Sequence, residues 1–233
     1  MTWYKIKALR GKVSSLSMTE PVRGTLDAVL KQDSDNSPAC VYNEVAALRL
    51  AQRVGVPLAM GVPSVGDGGV YFASLTVGGL SINLPDVSRQ RMEGVAKRYP
   101  NEAAGIFVFD VWILNDDRNH NLKANLTGSP VHLIAAIDHE QTLLGRYADM
   151  LQSLEALEGM ETPRDHPLGG HVQSQLVDRW IALIQAMSDD SIEDALVLRY
   201  SVGGVHQRSQ ARLARAMKQR RDQLSDLVAQ ALG

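Results

Sequence analysis

Residues 115–121, Asn-Asp-Asp-Arg-Asn-His-Asn, form an unbroken polar run directly after an apolar stretch. Asp138 stands seventeen residues beyond the run, at the end of the apolar segment Ala136-Ile137 and before His139. On its own the run is ordinary Asp/Asn turn chemistry. Asp138 changes that reading, because an acid closing an apolar strand packs poorly. Segments 122–126 and 131–137 read as two short strands around the turn cluster 127–130. A hairpin brings the start of its first strand beside the end of its second, so Asn121 and Asp138 become neighbours and Asp117 lies close to both. An amide oxygen beside a carboxylate is a hard donor pair suited to Mg²⁺, which takes few protein ligands and completes its shell with water and phosphates. A further carboxylate that does not ligate can accept a proton from a hydroxyl. One base, one amide ligand and one carboxylate ligand are the parts phosphoryl transfer requires.

The elements around these residues are legible from spacing. The polar run needs a rigid support, and 102–114 is apolar nearly all round, the pattern of a buried helix. Asp110 sits inside it and is expected to hydrogen-bond the polar loop from below, since a buried acid needs partners. Earlier in the chain, 25–31 reads as a strand ending in Lys31, followed by the turn QDSDNSP. Residues 40–53 read as a helix, with Val41, Val45, Leu48 and Ala51 at helical spacing and a stop at Gly55 and Pro57. Glu44 shares that apolar stripe. A charge on a buried face is costly unless paired, and Lys31 is the obvious partner. Segments 56–65 and 70–75 read as strands joined by Gly66-Asp67-Gly68-Gly69, a hairpin signal. The Gly-rich stretch 76–85 reads as a connector. Helices are expected over 87–99, over 171–187, after a capping box begun by Ser191, and over 207–232.

Composition narrows the class. The chain has 233 residues, 45% hydrophobic and 21% charged, enough for a packed core and ordinary for a globular protein. With 24 Lys+Arg against 26 Asp+Glu the net charge is −2, which gives no electrostatic case for nucleic acid or an anionic membrane as the main partner. A single cysteine, Cys40, excludes a disulfide framework and a multi-thiolate zinc site. None of the six histidines has the paired spacing of a zinc site. The start is not a secretory signal, and the longest apolar stretch is too short to span a bilayer, so a cytoplasmic protein is expected.

The run Phe109-Asp110-Val111-Trp112-Ile113-Leu114-Asn115-Asp116-Asp117-Arg118, followed by Ala136-Ile137-Asp138-His139, resembles the HipA-like kinases, which belong with the phosphatidylinositol 3/4-kinase-like branch of the protein-kinase fold. The resemblance implies that Asp117 is the catalytic base and Asp138 the magnesium-binding acid. The family's metal-binding Asn usually lies five residues after the Asp; here that place is Leu122, which leaves Asn121 and Asn125 as candidates, and Asn121 is preferred because Asn125 falls inside the expected strand. Ala28-Val29-Leu30-Lys31 resembles the kinase lysine strand and NEVAALRLAQRVGVP the family's helix, so Lys31 would hold phosphates and Glu44 would hold Lys31. The kinase Gly-rich signature is missing. The segment 11–17 stands in its place, and by resemblance Ser14 and Ser15 would cradle phosphates with backbone N–H groups.

The reading is an α+β, bilobal protein-kinase-like fold. Residues 1–78 form a small β-rich N-lobe with one helix, and 79–233 a mainly helical C-lobe. ATP and Mg²⁺ are the cofactors, and the resemblance supplies a Ser/Thr hydroxyl of a protein as acceptor. Other readings are a phosphoinositide or small-molecule kinase of the same fold, a catalytically silent nucleotide-binding module, and a metal-dependent phosphohydrolase built on Asp116, Asp117, Asp138 and His139. The last leaves Lys31 and Glu44 without a role. An antitoxin-type partner is not carried over, since the chain lacks room for the additional N-terminal region of the best-known members.

Overall fold

The structure, a computed structural model, describes residues 3–4, 6–12, 22–79, 82–127 and 132–233. Strands β1 (Trp3–Tyr4), β2 (Ile6–Lys12), β3 (Val22–Leu26) and β4 (Ala28–Lys31) precede helix α1 (Cys40–Val54). Strands β5 (Gly61–Gly66), β6 (Gly69–Leu75), β7 (Val77–Gly79) and β8 (Ile82–Asn83) follow. Helices α2 (Met92–Arg98) and α3 (Pro100–Ile113) lead to the hairpin of β9 (Leu122–Ala124) and β10 (Ile134–Ala136). Helices α4 (Met150–Glu158), α5 (Ser174–Gln185), α6 (Asp189–Leu196), α7 (Gln207–Asp222) and α8 (Leu224–Leu232) come after it. The result is a mixed α+β architecture, strands gathered in the first part and helices in the second.

Strands β4, β6 and β5 form an antiparallel sheet in that spatial order, with Lys31 opposite Phe72 and Gly66 opposite Gly69 at the hairpin end. The expected strand 25–31 is interrupted at Asp27, because β3 pairs with β2 whereas β4 pairs with β6, and the Asp27 carbonyl accepts from Thr76 N at the crossover. The expected strand 56–65 begins only at Gly61. Residues 57–59 run instead along β10, with Ala136 N donating to Pro57 O and Ala59 N to Ala136 O.

Helix α1 runs to Val54, one residue past the expected 53, and is capped at the expected stop by Gly55 in the left-handed conformation (φ 81°). Its far side is fastened to α6: the Tyr42 hydroxyl donates to Leu196 O at 2.7 Å, and the Arg49 guanidinium to Ala195 O at 2.9 Å and to Asp194 O. Helix α3 is buried along almost its whole length and forms the centre of the core. Gly105 on α3 faces Trp180 of α5; a Cβ there would meet the indole ring at 2.6 Å, so the close helix approach needs glycine.

Helix boundaries differ from expectation where local capping wins over periodicity. The segment 87–99 enters through a 3₁₀ turn, Arg89–Arg91, because Val87 N is committed to Leu122 O of the hairpin. The helix expected from residue 171 begins at Ser174, after a separate 3₁₀ turn. The cap of α6 is Ser188, whose hydroxyl accepts from Ser191 N, and Ser191 lies inside the first turn. The long terminal helix is broken at Gln223, where the chain turns so that α7 packs on α4 and α6 while α8 packs on α3 and α5. No helix of the described residues is long and apolar enough to cross a membrane.

Candidate active site

The sheet presents Lys31 at the end of β4, and its ammonium meets two acids from distant parts of the chain. Glu44 Oε1 of α1 lies 2.5 Å from Lys31 Nζ. Asp138 Oδ1, just after β10, lies 2.7 Å away in an ion pair without a directed hydrogen bond. Burial works against the Lys31 charge, and the two carboxylates outweigh it, so its pKa is raised. Burial pushes the Glu44 carboxyl up, but the contacts from His139 and Lys31 prevail and hold it at about 2. Asp138 has a positive φ of 58°, as do Leu114 (57°) and His120 (64°), so left-handed residues mark the start of the polar loop, its end before β9 and the exit from β10.

The loop between α3 and β9 is organised from beneath by Arg118, which is fully buried. Arg118 Nε and Nη2 grip the two Asp110 oxygens at 2.8 Å each, the bidentate fork that guanidinium and carboxylate favour. Arg118 Nη1 donates to the carbonyls of Asn121 (2.6 Å) and Ile137 (2.9 Å). One side chain therefore fixes the end of the loop and the approach to Asp138 together. Asp110 also accepts from Asn115 Nδ2 at 2.8 Å and from His166 Nε2 at 3.0 Å. These donors hold its carboxyl well below the ordinary range despite complete burial, which would raise it.

Above this base Asp117 is half-buried and tied to Asn121, whose amide N–H groups donate to Asp117 O (2.8 Å) and Oδ2 (3.0 Å). Ile137 N donates to Asn121 O at 3.0 Å, which seats Asn121 against the strand that ends in Asp138. Burial and the neighbouring Asp138 charge both raise the Asp117 pKa above its ordinary 3.8. A cleft of about 230 Å³ opens beside these groups, with Val29, Leu75 and Val77 as apolar wall and Lys31, Asp138 and Lys123 as charged lining.

The structure thus brings Lys31, Glu44, Asp117, Asn121 and Asp138 together. Asn125 goes elsewhere: it is buried at the far end of β9, its Oδ1 accepting from Thr127 N and Oγ1. Ser14 and Ser15 and most of the turn 127–130 lie outside the described residues. Asp116 and His139 do not join Asp117 and Asp138 as a phosphohydrolase would need. Asp116 pairs with Arg146 and accepts from Arg164 N, while the His139 ring faces Glu44 and Arg118. Arg118 and His166 were not expected from the sequence. Arg118 spends Nη1 on main-chain carbonyls, which leave no mark on side-chain pattern, and His166 is isolated far beyond the loop.

In architecture the chain is similar to solved kinases of the HipA-like type. No protein-family model matches the chain, and neither does a curated protein; the likeness is to solved structures. The proinflammatory kinase CtkA of Helicobacter pylori superposes with a TM-score of 0.59 at 11% identity, over 99% of this chain and 96% of that one. HipA of Shewanella oneidensis MR-1, solved with HipB and its operator DNA, superposes with a TM-score of 0.55 at 11% identity, over 90% of this chain. This chain spans 62% of that HipA chain. At such identity the likeness establishes the fold.

Proposed function

We propose that this protein is an ATP- and magnesium-dependent kinase that transfers the γ-phosphate to a Ser or Thr hydroxyl of a protein, with nucleotide bound between an N-lobe of residues 1–78 and a C-lobe of 79–233. The observation that carries the reading is the Lys31 ammonium in contact with both Glu44 and Asp138, with Asp117 alongside. A strand lysine held by a helix glutamate and placed beside a metal-type acid is the arrangement that holds and neutralises transferring phosphates. The donor set fits magnesium. Asp117 and Asp138 are close enough for the charge of one to raise the pKa of the other, a repulsion that a divalent cation relieves. Asn121 spends its N–H groups on Asp117, which leaves its amide oxygen as a hard donor. Among the described residues no three His, Cys, Asp or Glu side chains group as a closed metal site, and an ion held mainly by phosphates and water needs no such group. Magnesium held by Asn121 and Asp138 would neutralise charge developing on the phosphates.

In this scheme Lys31 orients the phosphates and Glu44 fixes Lys31. Asn121 and Asp138 would hold the metal, and Asp117 accepts the proton of the attacking hydroxyl, its position set by Asn121 from the side and Arg118 from below. Apolar Val29, Leu75 and Val77 suit a nucleobase. The complex in which the Shewanella HipA was solved is a property of that protein, and no antitoxin or DNA partner is assigned here. The test is intact mass after incubation with ATP and Mg²⁺, beside phosphate transfer to protein, lipid and small-molecule acceptors. Gain of phosphate on the chain itself or on a protein acceptor supports the proposal. Transfer to lipid or small molecules alone moves the acceptor class. ATP binding with no transfer to any acceptor identifies a silent nucleotide-binding module.

A further inference from the structure

His139 is buried, lies outside the groups assigned above and touches both halves of the site. Its Nε2 is 3.1 Å from Arg118 Nη2, and its Nδ1 is 3.7 Å from Glu44 Oε2. A guanidinium only donates, so Nε2 is the acceptor; a neutral ring then carries its proton on Nδ1, toward Glu44. The main chain of His139 has separate work. Its N–H donates to Glu44 Oε1 at 3.0 Å, and its carbonyl accepts from Thr142 N and Oγ1, which closes the turn that follows. The turn therefore does not need the ring. At either end of the ring are side chains that hold the site: Glu44 holds Lys31, and Arg118 holds the carbonyls of Asn121 and Ile137.

We propose that His139 is a positioning residue whose ring, as a single tautomer, ties helix α1 to the loop that carries Asp117. Its consequence for catalysis rests on the kinase reading: the lysine–glutamate pair and the base are set together instead of independently. The mechanical link itself does not depend on that reading, and the experiment is chosen to separate the two.

The measurement is amide hydrogen exchange on the full chain, wild type against His139→Ala, His139→Asn and His139→Gln. Exchange reports local opening segment by segment, with no substrate and no activity required. Loss of the ring is expected to speed exchange in two segments remote in sequence: about tenfold, the scale of one hydrogen bond, in 115–121, and less in 43–47, where the ring meets Glu44 at 3.7 Å in an electrostatic contact. The two amides rescue different ends. Asn places its amide where Nδ1 lies and should restore protection in 43–47 only. Gln reaches the place of Nε2 and should restore 115–121 only. If the alanine variant does not fold, the crossed pattern of the two amide variants carries the test. Faster exchange confined to 138–142, no change, or a uniform rise without selective rescue would each overturn the link. A wild type that transfers phosphate while these variants show none of the crossed pattern leaves the kinase reading intact and removes only the bridge. A crossed pattern in a chain that never transfers phosphate does the reverse.

Discussion

Two carboxylate–cation pairs lie on either side of the same loop, and they are built for different work. Asp110 and Arg118 meet at 2.8 Å with both side chains wholly buried; Asp138 and Lys31 meet at 2.7 Å with 32% and 15% of their side chains exposed. The deep pair is saturated. Asp110 Oδ1 accepts from Arg118 and Asn115, and Oδ2 accepts from Arg118 and His166, so the carboxylate has no capacity left for a ligand. The cleft pair is not, since Asp138 Oδ1 meets the Lys31 ammonium and no second donor among the described residues. A saturated buried pair contributes fixed geometry more than net stability. An unsaturated pair at a cleft can exchange one partner for another, as metal and phosphate binding require.

This contrast fails first if chemistry does not depend on the cleft side. Asp117→Asn should lower phosphate transfer by about 10²–10⁴-fold while ATP affinity stays near wild type, because it removes a proton acceptor and little else. Turnover close to wild type would mean that Asp117 is not the base. On the deep side, Arg118→Leu strands the Asp110 charge in the core and should cost about 3–5 kcal/mol, read as a lower urea midpoint. Asp138→Asn should cost far less stability. Equal losses from the two would erase the distinction.

Titration sharpens the comparison further. Glu44 is held at about 2 against an ordinary 4.5. A carboxylate depressed on folding contributes stability above its unfolded pKa and loses it as pH falls through the folded one. Acid unfolding should therefore steepen between about pH 4.5 and 2, and Glu44→Gln should flatten that window. Asp117 is raised by burial and by Asp138, so Asp138→Asn should lower its pKa in an NMR titration. An unchanged value would mean that the two acids do not sense each other. The smallest effect belongs to the surface. Arg212 and Glu158 form a bidentate pair at 2.7 and 2.6 Å, yet Arg212→Ala should cost no more than about 1 kcal/mol, since water and salt screen it.

The cleft side of this pair was legible in the sequence and the deep side was not. Lys31, Glu44 and Asp138 announce themselves because a charge on an apolar stripe or strand end violates the pattern around it. Asp110 does so too, and its need for partners was expected. That they come from the loop was expected as well; that Arg118 is the chief one and His166 another was not, because both stand in polar surroundings where a charge is unremarkable. Arg118 binds carbonyls that every residue has. The same logic covers the fold. Glycine at 55 and the Gly66–Gly69 turn mark their boundaries with distinctive chemistry. The breaks at Asp27 and Gln223 do not, because each depends on which neighbour a segment packs against. Apolar periodicity runs through the second break without a sign of it.

The fastening of α1 to α6 has a consequence for assembly. Tyr42 and Arg49 find their acceptors at residues 194–196, about one hundred and fifty positions later. Contacts so distant along the chain close slowly, because loop entropy is lost before they form. During synthesis α1 can rest on β5 and β6 early, but its face toward α6 stays uncovered until residue 196 has emerged. The lysine–glutamate side of the cleft is encoded first and completed last, so in a nascent chain it stays unfinished while the C-terminal helices are still being made. The interval also exposes an apolar helix face to other chains, which makes this stage of folding the one most open to aggregation.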